Sequence, residues 1–258
     1  MQQVLSFLCL FLERPERMNK ELSQIFGLHE YQEELVDFCV RTPKCGLFLQ
    51  MGLGKTRIAL ATVCELVITN RMLGHCLVVA PKVIARSSWI DEMNKIEIDI
   101  RYQSFLVDEK GKVLTKAERE LLFEGAKTAP PTMYFISRDL LLQMTEYFGT
   151  EWCFPMIIAD EYQSFKNPDS KRTKSLMSIM PYTERVIGLT GTPAPNGLDD
   201  LWSLIAVLDA GQRLGRTMYE YHQKYFTAWK TIGNKVTRWI PAAGAEQRIY
   251  DKISDIAR

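Results

Sequence analysis

Short apolar runs alternate with amphipathic stretches along most of this chain. Tyr31 to Val40 has helical periodicity with Leu35, Val36, Phe38 and Cys39 on one face. Gly46 to Leu49 predicts a strand and Lys55 to Thr69 the helix after it. Cys76 to Ala80 is wholly apolar and stops at Pro81, as a strand buried on both faces does. Ser88 to Met93 opens a further helix, and Tyr102 to Val107 is strand-like. Thr115 and Glu118 form a capping box for a helix running to about Gly125. Met133 to Ile136 (strand), Leu140 to Phe148 (helix) and Met156 to Ala159 (strand) continue the pattern, followed by a polar loop. Val186 to Leu189 is one more strand, with a helix from about Leu201 to Leu208. Strands and helices interleaved at this spacing predict a doubly wound, mainly parallel α/β sheet with helices on both faces.

The last fifty or so residues differ. Tyr219, Tyr221, Tyr225, Phe226, Trp229 and Trp239 crowd together, Thr231 to Val236 resembles a hairpin turn, and Ala245 to Ala257 a final helix. This predicts a small helical and hairpin appendage at 211–258, packed on a main unit at 18–210. Residues 1–17 form an N-terminal extension in which Val4 to Leu12 is too short to span a bilayer. It lacks the basic start and small-residue cleavage site of a secretory signal. Met18 is an alternative start.

A net charge of +1 excludes a global basic field, so nucleic-acid binding would need a local patch. The six cysteines form no C-x-x-C pair or zinc spacing and read as reduced thiols of a cytoplasmic protein.

Three strand ends carry chemistry. After the first strand comes Met51-Gly52-Leu53-Gly54-Lys55-Thr56-Arg57. Two glycines let backbone N–H groups close around phosphates, Lys55 adds a mobile positive charge, and the Thr56 hydroxyl can ligate Mg²⁺. Gln50 stands where the full Walker pattern has its first glycine. Asp160-Glu161 ends the Met156 strand; Asp160 is placed to hold Mg²⁺ and Glu161 to orient and deprotonate a water. Thr190-Gly191-Thr192-Pro193 follows the Val186 strand, with hydroxyls near the expected γ-phosphate. Each segment alone is also compatible with an ordinary turn; their recurrence at the ends of strands in one sheet points to a nucleotide site.

Taken together, these residues resemble the first RecA-like lobe of Swi/Snf-type superfamily-two helicases, including small phage and bacterial forms. Leu28 to Gln32 resembles the adenine-reading Q motif, with Gln32 its reader; Met51 to Thr56 matches motif I. Val78 to Lys82, with Trp89 beyond, resembles motif Ia, and Tyr134 to Arg138 lies where motif Ib does. Asp160-Glu161, with Lys166 and Ser170 to Thr173 as its tail, is similar to motif II; Leu189 to Pro193 is similar to motif III. The resemblance implies a P-loop NTPase fold, ATP and Mg²⁺ as cofactors, and ATP hydrolysis coupled to DNA. Gln163, Thr190, Gly191 and Thr192 would couple phosphate to DNA. Lys82, Arg138, Lys166, Lys171 and Arg172 would follow a double-stranded DNA backbone weakly and without sequence preference. A bacterial or phage-infected cell is the implied setting, with no membrane.

Two departures bear on mechanism. Motif II reads Asp160-Glu161-Tyr162-Gln163, where the family has a small residue and then histidine. Gln163 hydrogen-bonds as a neutral imidazole does but cannot take a proton. The chain also reaches Arg258 about where the family passes to a second RecA-like lobe carrying an arginine finger, a group worth about 10³–10⁵ in rate. The expectation is slow turnover by this lobe alone, completed by a second lobe or partner chain. The alternative is a non-catalytic nucleotide- or DNA-binding module that works only with a partner.

Overall fold

The structure, a computed structural model, describes residues 18–258 apart from 73, 97, 233 and 234, so the apolar segment Val4 to Leu12 lies outside the described residues. Six parallel strands form the central sheet: β1 (Lys44–Phe48), β2 (Cys76–Ala80), β3 (Tyr102–Ser104), β4 (Met133–Ser137), β5 (Met156–Asp160) and β6 (Arg185–Thr190), in the order β1-β6-β5-β2-β4-β3. Side chains alternate across a strand, so each feeds two cores. Cys45, Leu47, Val78, Ala80, Phe135, Ile158 and Leu189 face α1 (Lys20–Phe26), α2 (Glu30–Arg41), α3 (Lys55–Ile68) and α4 (Ser88–Ile96). Leu77, Val79, Tyr134, Ile136, Ile157 and Val186 face α5 (Lys116–Ala126), α6 (Leu141–Phe148), α7 (Lys171–Ile179) and α8 (Asp199–Asp209) on the other side. This is the doubly wound, parallel α/β arrangement that the hydrophobic pattern predicts.

Helix ends follow the local sequence. Asn19 accepts from the Glu21 N–H to start α1, and Gly27, at φ 56°, ends it. Thr115 and Glu118 cap α5 reciprocally.

Several elements differ from expectation. The Tyr102 strand pairs with β4 only as far as Ser104; Val107 turns away to bridge Val113. The polar stretch after β5 contains α7, capped by Ser170 through the Thr173 N–H. Met218–Tyr225 is a helix, α9, where no element was expected. It leads into an antiparallel ribbon, β7 (Phe226–Ile232) and β8 (Lys235–Pro241), paired as far as Ile232 and Lys235; the centre of the anticipated turn, 233 and 234, lies outside the described residues. The final helix, α10 (Ala245–Ile253), stops short of Ala257 because the chain then runs beside β1: the Gly46 N–H donates to Ile256 O at 2.8 Å and the Arg258 N–H to Gly46 O at 3.0 Å. Tyr221, Phe226, Ile249 and Ile253 are buried in the core shared with α5–α8. Among the described residues no helix is long and apolar enough to cross a membrane.

Candidate nucleotide site

The sheet order places β1, β6 and β5 side by side, so the loops at their carboxyl ends are neighbours although nearly 150 residues of sequence separate the first from the last. Gly52 and Gly54 take φ of 86° and 77°, a left-handed backbone in which a side chain is strained. Gly54 then serves as the cap of α3. The loop's side chains point outward, Met51 being 88% exposed. The Lys55 ammonium donates to Leu49 O at 2.8 Å and Gln50 O at 3.1 Å, folded onto the loop that it would otherwise leave to reach a phosphate. The loop after β6 lies against this one: a methyl at Gly191 would meet Leu49 O at 3.3 Å, Met51 N at 3.6 Å and Lys55 Nζ at 3.7 Å.

Asp160 is buried at the end of β5, and both carboxylate oxygens have donors. Oδ2 accepts the Trp89 indole N–H at 3.0 Å and Oδ1 the Glu161 N–H at 2.9 Å. Burial pushes its pKa up, while those two hydrogen bonds and the Lys55 charge oppose the rise. Each oxygen keeps a free lone pair for a cation or water. Glu161 itself is left-handed, φ 49° and ψ 52°, a conformation that costs a non-glycine residue about 1–3 kcal/mol. That twist ends the strand and turns the chain into the 3₁₀ segment Tyr162–Phe165.

The two departures in motif II have structural answers. Gln163 Nε2 donates to Glu161 Oε2 at 2.6 Å, and its Oε1 accepts from Thr190 Oγ1 at 2.6 Å. Thr190 Oγ1 in turn accepts the Thr192 N–H at 3.0 Å. A polarised chain of hydrogen bonds thus runs from the β6 loop to the Glu161 carboxylate, with the neutral amide in the place of an imidazole. Tyr162, bulky where the family is small, is fully buried and donates to Leu204 O at 2.8 Å. Room for its ring comes from Gly188 of β6, where any Cβ would collide with it.

Other predicted residues are placed differently. Gln32 lies over the glycine loop with its amide already engaged: Nε2 donates to Leu53 O at 3.2 Å, and Oε1 accepts the His29 N–H at 3.0 Å. Its remaining hydrogen and lone pair are what it can offer a base. Arg57, read as part of the nucleotide-contacting run, turns away to Glu92 of α4 at 2.8 Å. Lys166, read as a DNA contact, is bound to Asp200 at 2.9 Å. Lys82 and Arg138 lie just beyond the carboxyl ends of β2 and β4, exposed and half-buried respectively, Lys171 is exposed at the start of α7, and Arg172 sits 3.8 Å from Asp139. Sequence reasoning missed Trp89 as the partner of Asp160; 71 residues separate them, and nothing in the local pattern announces the pairing.

A glycine loop, a buried aspartate with an adjoining glutamate and a threonine loop, gathered at the carboxyl ends of three neighbouring parallel strands, define a RecA-like lobe of the P-loop class. The chain belongs to the SNF2-related domain family, which matches residues 31–229. It is 29% identical over 238 residues to protein p41 of Acyrthosiphon pisum secondary endosymbiont phage 1, covering 90% of this chain and 50% of that one. It is 32% identical over 158 residues to the chromatin-remodelling ATPase INO80 of Debaryomyces hansenii, covering 60% of this chain and 11% of the other. The fold matches the Sulfolobus solfataricus SWI2/SNF2 ATPase core in complex with double-stranded DNA at TM-score 0.66 and 24% identity, over 96% of this chain and 46% of that one. It matches the same organism's ATPase core domain at TM-score 0.61 and 25% identity, over 88% and 42%. The chain therefore spans half or less of the length of these relatives.

Proposed function

We propose that this chain is the ATP-binding motor lobe of a DNA-dependent ATPase of the SNF2 type. The observation that carries the reading is the convergence of the Gly52–Thr56, Asp160–Glu161 and Thr190–Thr192 loops, tied by the Glu161–Gln163–Thr190 hydrogen bonds. Backbone N–H groups of the loop and Lys55 hold the phosphates, and Gln32 contacts the base with the part of its amide that the loop leaves free. Thr56 and Asp160 suit Mg²⁺, which takes hard oxygen ligands and keeps several waters; among the described residues no cluster of three or more acidic, cysteine or histidine side chains would cage a metal alone. Bound there, Mg²⁺ would neutralise developing charge on the phosphates. Glu161 accepts a proton from water, held in place by Gln163. Because Gln163 does not ionise, the path from the β6 loop to Glu161 carries orientation rather than a proton.

Residues 18–210 form the motor lobe in this reading, and 211–258 an appendage leading toward further motor parts. Double-stranded DNA is the partner, tracked by Lys82, Arg138 and Lys171 at the same end of the sheet. The setting is cytoplasmic, in a bacterial or phage-infected cell. The second reading, a binding module that acts only with a partner chain, draws on the partial coverage of the relatives compared above. Intact Lys55, Asp160 and Glu161 favour the first.

ATP binding and turnover, measured with and without duplex DNA, test the proposal. Lys55→Ala is expected to weaken ATP binding, and Glu161→Gln to bind ATP but lose turnover. ATP affinity unchanged in Lys55→Ala would defeat the site assignment. Fast DNA-stimulated turnover by the chain alone would defeat the dependence on further motor parts.

A further inference from the structure

The β7–β8 ribbon has no part in the nucleotide site, yet its construction calls for a partner. Its two strands pair only with each other, and an isolated two-stranded hairpin is marginal in water. Its root is firm: Phe226 is buried, and Trp239 stacks on His222 with ring centroids 5.0 Å apart. Beyond the root the chain between Phe226 and Pro241 carries Lys230, Lys235 and Arg238 and no acidic residue.

Three details make this more than a solvated surface. Lys230 and Arg238 are direct cross-strand partners, so two cations stand opposite one another on a weak ribbon, an arrangement that destabilises it. Among the described residues neither has an ion-pair partner to offset the repulsion. Ala228 pairs with Trp239 and Lys230 with Arg238, so two steps on β7 answer one on β8, and Trp229 is the extra residue of a β-bulge. Bulges re-aim side chains, and this one leaves Trp229 64% exposed. Lastly, the root is pinned to the start of α8: the Tyr221 hydroxyl donates to Leu198 O at 2.8 Å and His222 hydrogen-bonds to Asp199. Because α8 follows the loop after β6, the ribbon is rooted at the end of the sheet that carries the nucleotide site and Lys82, Arg138 and Lys171.

We propose that the β7–β8 ribbon is a double-stranded DNA contact, in which Lys230 and Arg238 bind backbone phosphates and Trp229 lies against the sugars and base edges of a groove. A polyanion relieves the repulsion that the free ribbon carries, and a two-stranded ribbon fits the width of the major groove. The inference rests on the DNA-binding reading above and extends it to a surface that the helicase-type motifs do not include.

The test is a salt titration of binding to a labelled duplex by the full chain, comparing wild type with Lys230→Ala/Arg238→Ala and with Trp229→Ala. Loss of two phosphate contacts is expected to lower the slope of log K against log salt by about 1.8, so that between 50 and 200 mM salt the double variant loses roughly twelvefold less affinity than wild type. Trp229→Ala, which removes roughly 40 Å² or more of apolar contact with the groove, is expected to weaken binding about fivefold or more with the slope unchanged. Binding of a fluorescent ATP analogue and the thermal melt should match wild type in both variants, showing an intact lobe. Wild-type DNA affinity and slope in both variants would overturn the ribbon assignment and leave the ATPase reading standing. Absence of duplex binding by the wild type, with ATP bound normally, would overturn the DNA reading and this one with it.

Discussion

The two ends of the six-stranded sheet are built on different terms. At the amino end, polar groups close onto the backbone and much of the rest is apolar. His75 is buried with Nε2 2.9 Å from Ala126 O and Nδ1 accepting the Thr132 N–H at 3.1 Å, which fixes it as the neutral Nε2–H tautomer. Beside it an apolar cleft of about 530 Å³ is lined by Leu22, Phe26, Val63, Ile98 and Met133 among others. At the carboxyl end, polar groups bind one another in chains and keep capacity to spare. Lys55 rests on loop carbonyls, Asp160 is buried with a free lone pair on each oxygen, and Glu161 holds a strained backbone. One end is optimised for holding together, while the other holds strain and partly used donors and acceptors that a ligand can complete.

The sharpest way to break that contrast is at Glu161. Replacing it by Gln keeps its shape and its contact with Gln163 but removes the base, so turnover should fall by about 10²–10⁴ with ATP affinity retained, as read by single-turnover hydrolysis beside equilibrium binding. Next in size is the packing beneath the site. Gly188→Ala drives a methyl into the Tyr162 ring and should cost about 1–3 kcal/mol in urea denaturation, on the scale of other overpacked cores. Tyr162→Ala should cost about 3–5 kcal/mol, as large aromatic truncations do. Because the two residues touch, the double variant should cost less than the sum; strict additivity would show that Gly188 does not exist to admit the ring.

A third change tests the relay. Gln163→Leu removes the donor to a carboxylate, an interaction typically worth about 1.5–3 kcal/mol, and should reduce turnover while leaving ATP affinity near wild type. Equal turnover in that variant would make the chain of hydrogen bonds incidental.

The smallest effect belongs to the amino end. Burial lowers the His75 pKa below its ordinary 6.5, while the hydrogen bond that Nε2 donates to Ala126 O partly resists the shift. The unfolded chain then takes up a proton at a pH where the folded protein does not, so this histidine's contribution to stability is complete above pH 6.5 and is lost as pH falls through the folded value. Thermal melts between pH 7.5 and 5.5 should show the decline, and His75→Gln should flatten it.

What the sequence disclosed, and what it hid, follows from the range of each interaction. Strands such as Cys76–Ala80 read as unbroken apolar runs because helices cover both of their faces. The glycine loop, the Asp-Glu pair and the threonine loop were legible since each is local chemistry at a strand end. Helix α7 was not, because Lys171 to Ile179 is short and charged and its buried positions include Thr173 and Ser175 as well as Leu176. Ion pairing was hidden for the same reason of distance: Arg57 and Glu92 are 35 residues apart and Lys166 and Asp200 are 34, so two cations that looked free for ligands were already taken. Trp89 and Asp160 make the strongest case, a buried contact that only the folded sheet brings about.

The short stretch from Ile256 to Arg258 beside β1 has a consequence for how the protein behaves in a crowd. An open sheet invites strands from other molecules at its two edges. Here β3 offers one edge only three residues long, and the other is occupied at Gly46 and Phe48 by the chain's own backbone. The sheet is thus poor seed for edge-to-edge assembly. Loss of the Ile256–Arg258 pairing should leave β1 an open edge and promote association through it, as size-exclusion chromatography would show.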